Sequence, residues 1–102
     1  MESDESVYGD AGMLRIKFGT SWKQLDICSE VKVIATARGY APGLVIGHDG
    51  VQEFMLIGAA SLTRPLEALR LANNGKLKGL TVRIRKAAAH STAPYECEQV
   101  GD

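Results

Sequence analysis

Apolar and polar residues alternate most cleanly near the C-terminal end of the chain. In Gly79–Lys86, Leu80, Val82 and Ile84 fall on one side and Thr81, Arg83 and Arg85 on the other. That period of two marks a strand that closes a core with one face and holds guanidinium groups in water with the other. Met13–Phe18 repeats the pattern, with Leu14, Ile16 and Phe18 opposite Arg15 and Lys17. Val31–Arg38 is read the same way, with Val31, Val33, Ala35 and Ala37 inward. Tyr95–Val100 sets Tyr95 and Cys97 against Glu96 and Glu98 and predicts a last strand.

Two apolar runs, Gly43–Gly47 and Val51–Gly58, flank His48-Asp49-Gly50. Asp-Gly between such runs predicts a tight hairpin, because glycine and aspartate tolerate the left-handed backbone that the turn needs. The second run is apolar on both faces, so its strand is expected to be central or covered by a helix. One helix is predicted over Ser61–Asn74. Leu62, Leu66 and Leu69 make its stripe, Ser61 and Thr63 offer caps, Pro65 fits a first turn and Gly75 closes it. Ser21 and Gln24 have capping-box spacing and predict a short helical turn over 22–28. Gly39-Tyr40-Ala41-Pro42-Gly43 reads as a turn or loop, and 86–94 as a loop of small residues. Residues 1–12 lack a periodic apolar set and are expected to be a disordered acidic tail, with one domain over 13–100.

With the strand at 13–18 set aside, the order is three strands, a helix and two strands. That is the order of a mainly β, five- to six-stranded antiparallel OB-like barrel with its helix between the third and fourth barrel strands. The alternative is a generic α+β sandwich. The second half, from Gln52-Glu53-Phe54-Met55-Leu56-Ile57 through Leu66-Glu67-Ala68-Leu69 to Gly79–Lys86 and Tyr95-Glu96-Cys97-Glu98, resembles the small OB-fold single-stranded DNA-binding proteins of phages and bacteria. The resemblance implies a strand bound across the sheet face and adjacent loops. It also implies acidic ends that recruit replication, recombination or host proteins.

Charge sharpens this picture. Net charge is zero, yet all twelve Lys and Arg lie between Arg15 and Lys86, against only Asp26, Glu30, Asp49, Glu53 and Glu67 there. A basic body with acidic ends suits a polyanion partner. Single-strand binding needs cations for phosphates and flat side chains for bases. The candidates are Arg15, Lys17, Lys32, Arg38, Arg83, Arg85 and Lys86, with Tyr40 and His90 on loops and Trp22 and Phe54 as weaker stacking groups. In an OB topology the strands that hold Lys32, Arg38, Arg83 and Arg85 are neighbours, so these four are expected to merge into one patch. Trp22 has a second reading, as a plug at one end of the core. A competing reading pairs the last two strands so that Arg83 faces Glu98 and Arg85 faces Glu96, which neutralises the row. The chain would then be a protein-interaction module, such as a phage-type modulator of a host protein or a subunit of an assembly. The scarcity of aromatic residues, 6%, fits that view.

Other chemistry has little support. Cys28, His48, His90 and Cys97 have the count of a metal site but no paired spacing, and no nucleophile, base and orienting group come together. No enzyme activity, metal or cofactor is expected. The two cysteines read as reduced and partly buried. The acidic start has no apolar run behind it and no span is long enough for a membrane, so a cytoplasmic protein, or one in a phage-infected host, is expected. The strand at 13–18 offers an edge to a second copy.

Overall fold

The computed structural model describes residues 7–8, 13–36 and 39–101. Its elements in order are β1 (Val7–Tyr8), β2 (Met13–Leu14), β3 (Lys23–Ile27), β4 (Lys32–Thr36), β5 (Gly39–His48), β6 (Val51–Leu56), α1 (Ala60–Ala72), β7 (Thr81–Lys86) and β8 (Tyr95–Gln99). β1 and β2 pair with each other. The other six strands form one antiparallel sheet in the order β4-β5-β3-β7-β8, with β6 also paired to β5. Among the described residues the fold is thus mainly β, an open sheet with a single helix. No helix among the described residues is long and apolar enough to cross a membrane.

The β5–β6 hairpin forms as its sequence predicts. His48 pairs with Val51, and Asp49 and Gly50 both take positive φ, 52° and 79°, the backbone of the tight turn that Asp-Gly favours. Phe54 and Met55, on opposite faces of β6, are 2% and 1% exposed, so this strand is covered on both sides. β7 and β8 also match their predicted spans closely.

Three predictions fail. The helical turn over 22–28 is instead β3, in the middle of the sheet. Leu25 and Ile27 enter the core and Gln24 and Asp26 face out, so a five-residue alternation prevailed over the Ser21/Gln24 signal. The 39–43 loop is the first half of β5, paired with β4 from Thr36↔Gly39 to Lys32↔Gly43. The inward phase of 31–38 is reversed: Ile34 is buried, while Val33 is 71% exposed. Ile34 has its place because Gly43, beside it on β5, has no side chain; a Cβ there would lie 2.3 Å from Ile34 Cδ1.

β3 and β4 follow one another along the same edge of β5, separated by an irregular stretch at 28–31. Side chains satisfy the backbone there. Cys28 N donates to Val45 O at 2.8 Å, Val45 N donates to Ser29 Oγ at 2.9 Å, and the Glu30 carboxylate accepts from the amides of Leu77 and Lys78 at 2.9 Å each. Backbone groups outside a regular ladder need such partners. The same bonds hold the Glu30 carboxyl below its ordinary pKa, the Leu77 amide contributing most.

α1 begins at Ala60, and Ala59 caps it without a side-chain bond. The predicted caps do other work. Thr63 Oγ1 donates to Ile57 O at 2.7 Å, and Ser61 Oγ accepts from Tyr95 N at 2.9 Å, tying the helix start to β8. Leu62 and Leu66 enter a core built with Leu25, Ile27, Leu44, Ile46, Met55, Ile57, Leu77, Val82 and Ile84. Past the helix, Gly75 takes φ 82° and donates its N–H to Arg70 O at 2.8 Å, the left-handed closure that glycine permits.

Of the expected strand at 13–18, only Met13–Leu14 is a strand. Of the N-terminal dozen expected to be disordered, Val7 and Tyr8 alone are described, as β1. Beyond β2 the chain runs beside β6, through a parallel bridge of Arg15 to Phe54, with Ile16 buried and Phe18 half-buried. Ile16 N donates to Phe54 O at 2.9 Å, and at the far end Lys86 N donates to Gly19 O at 2.7 Å. Residues 15–19 are therefore a strap from β6 to the end of β7, held by these two backbone bonds and not part of a regular strand.

Candidate functional site

The most regular sequence feature, the arginine row, is partnered. β7 and β8 pair in the register Arg83↔Glu98 and Arg85↔Glu96. Arg83 donates from Nε and Nη2 to Glu98 Oε1 at 3.0 and 2.7 Å, and Arg85 Nε donates to Glu96 Oε1 at 2.6 Å. All four side chains stay about half exposed, so each pair contributes only about 0.2–1 kcal/mol. Each guanidinium also lies 4.4 Å from the centre of the Trp22 ring. Trp22 is therefore neither a plug in the core nor an open stacking platform; it is the surface on which the two arginines rest. Asp26 lies on this face too, where it accepts from Thr81 Oγ1 at 2.7 Å. Three carboxylates face two guanidiniums, and the face is not cationic.

The expected merger with Lys32 does not occur. β4 continues along β5 past the end of β3 and pairs with β5, whereas β7 pairs with β3. The strand beside β7 is β3, the segment that reads as a helical turn in sequence, and it brings Gln24 and Asp26 against Arg83 and Thr81. Arg38 lies outside the described residues. Lys32 is exposed on β4, beside a shallow groove formed with Val31, Val33, Tyr40, Ala41 and Pro42. Tyr40, 81% exposed, pairs with Ala35; its ring stands on this arm, away from the arginine row. Phe54 is buried and offers no stacking face.

The structure brings together three other candidates. Arg15, Lys17 and Lys86 line one cleft of about 260 Å³ between the strap, β6 and the start of β8. Ile16, Phe18, Met55, Leu56 and Tyr95 complete it, and among the described residues no carboxylate lines it. Alternation along β7 sends Lys86 to the face opposite Arg83 and Arg85. There its Nζ lies 5.6 Å from the Tyr95 ring centre and 3.4 Å from Ser91 O. Phe18 meets Tyr95 edge to face at 5.9 Å. Arg15 and Lys17 make no ion pair among the described residues. Lys23, not among the sequence candidates, contacts the strap without lining the cleft: its Nζ donates to Lys17 O and lies 5.9 Å from the Phe18 ring. The alternation of 23–27 was the signal that could have found it.

His90 is exposed on the loop after β7, with Nδ1 3.1 Å from Thr92 Oγ1. Ala87 N donates to Pro94 O at 2.9 Å and closes the base of that loop. His48 lies between Asp49 and Glu53, at 3.5 and 3.7 Å. Among the described residues no group of three or more His, Cys, Asp or Glu is placed to hold a metal. Cys28 and Cys97 are free and half-buried, and burial, helped by Glu98, pushes the Cys97 thiol up to about 11. No known protein family, curated protein or solved structure matches the chain.

Proposed function

We propose that this chain is a small OB-type barrel that binds single-stranded nucleic acid, through phosphates and with little sequence preference, and catalyses nothing. The connectivity supports the architecture. β3 and β4 act as one long, bent first strand that pairs with both β5 and β7, the helix joins β6 to β7, and β8 follows on β7. Closure of the barrel would run along the seam between β6 and β8, where the strap and Tyr95 meet.

The observation that carries the function is the cleft: three cations line it, none in an ion pair and with no carboxylate beside them among the described residues. Such a group is an electrostatic footprint for phosphates, and it replaces the paired arginine row in that role. Tyr40 on its arm and His90 on its loop are the side chains that would extend the contact. The same reading takes the cytoplasm as the setting, where single strands are met and thiols stay reduced. The test is anisotropy of a labelled oligothymidylate at several salt concentrations. Binding that weakens steeply with salt and is shared by other sequences supports the proposal; no binding at low salt ends it.

A second reading is favoured by the β4–β5 arm. Val33 and Tyr40 stand exposed there beside Val31 and Pro42, an apolar patch of the kind that marks contact with another protein. As a protein-interaction module, the chain would retain a partner from lysate after nuclease treatment, and Val33→Glu would release it.

A further inference from the structure

We infer that the cleft between the strap and β8 is a preformed site for a single nucleotide, and that a nucleoside monophosphate is its smallest sufficient ligand. This rests on the nucleic-acid reading and narrows it to one chemical unit.

Rigidity is the first ground. The strap is bonded to β6 through Ile16 N and to β7 through Gly19 O. The backbone at Tyr95 is held by the hydrogen bond that its N–H donates to Ser61 Oγ. These bonds anchor the backbone on either side of the cleft, which lowers the ordering cost of binding.

Size is the second. At about 260 Å³ the cleft falls just below the range of about 300–1,000 Å³ in which drug-sized ligands are engulfed. It suits one small unit that is partly left in solvent, as a residue within a longer strand must be.

Division of chemistry is the third. Arg15, Lys17 and Lys86 supply positive charge, while half-buried Phe18, Leu56 and Tyr95 supply an apolar wall. A phosphate ester with a planar substituent matches both parts, and an inorganic anion matches only the first. The ammonium of Lys86, held near the Tyr95 ring, lies where these two parts meet.

The test is a titration of the full chain with AMP, with dTMP and with inorganic phosphate, followed by amide and side-chain NMR shifts. It is paired with competition against a labelled oligothymidylate. Shifts at Lys17, Phe18, Leu56, Lys86 and Tyr95 with the monophosphates, and displacement of the oligomer, support the inference. In Lys86→Gln, which keeps most of the side-chain stem, monophosphate affinity should fall at least several-fold while shifts far from the cleft stay in place. If the oligomer binds and excess monophosphate does not displace it, the inference falls and the nucleic-acid reading survives. If monophosphates bind in the cleft and oligomers do not bind, the inference stands and the polymer reading falls. Inorganic phosphate that binds as tightly as AMP would overturn the nucleotide assignment.

Discussion

The salt dependence of oligonucleotide binding is the quantity on which the cleft and the arginine row differ most. For single strands, the logarithm of the binding constant falls with the logarithm of salt at a slope of about −0.7 per neutralised phosphate. Three cations line the cleft, with no carboxylate among the described residues there, so the slope expected from the cleft alone is about −2. A fourfold rise in salt should then weaken binding about 20-fold. Replacing Arg15, Lys17 and Lys86 with Gln one at a time should remove about 0.7 from the slope at each step, and the triple variant should be nearly insensitive to salt. Replacing Arg83 and Arg85 with Gln should leave the slope alone, because Glu98 and Glu96 already answer those charges. Anisotropy of a labelled oligothymidylate at three salt concentrations reads all of these. The reasoning is refuted if the wild-type slope is flat, or if the Arg83 and Arg85 variants lose the slope and the cleft variants keep it.

Other consequences concern stability and reactivity. Gly43→Ala puts a Cβ 2.3 Å from Ile34 Cδ1 and 2.9 Å from the Met55 carbonyl oxygen; the side chain can move but the carbonyl cannot, so urea unfolding should show a loss of about 1–3 kcal/mol, and an unchanged midpoint would contradict the packing. The Glu30 carboxyl is held below its ordinary pKa by the Leu77 and Lys78 amides. Its stabilisation is therefore present above the unfolded carboxylate pKa and is lost as pH falls through the lower folded value. Glu30→Gln should be less stable at neutrality and lose less on acidification, and equal acid sensitivity of the two proteins would count against this linkage. Cys97, with its thiol pushed up to about 11, should alkylate slowly at mildly alkaline pH in the folded protein and readily in denaturant. Peptide mapping that finds it fully modified in the native state would contradict its burial.

Much of the scaffold is legible in the sequence where periodicity and punctuation agree. β6, β7, β8, the helix and the Asp49-Gly50 turn each have a long apolar repeat or a specific turn residue. The Arg83–Glu98 and Arg85–Glu96 pairs follow from the spacing around the 86–94 loop. The errors lie where a short strand carries a rival local signal. Lys23–Ile27 is five residues long and follows a Ser–Gln capping pair, so nothing local announces that it is central. Val31 and Val33 look like inward residues by composition, but Ile34 wins the core side because only it has a glycine to lie over. Since strand neighbours decide which charges meet, missing β3 displaced the whole candidate patch. The cleft was out of reach for the same reason. Arg15, Lys17 and Lys86 are each visible as candidates, yet their convergence depends on backbone bonds between residues far apart in the chain.

The tethering of residues 15–19 has a consequence for synthesis. Its two bonds join the beginning of the domain to Phe54 and to Lys86, and the facing wall awaits Tyr95. A nascent polypeptide emerging from a ribosome would thus hold all of its early cations with no finished recess to put them in. On the proposed function, ligand capture would switch on only when the closing residues are released, and a product that stops short of Tyr95 would not bind.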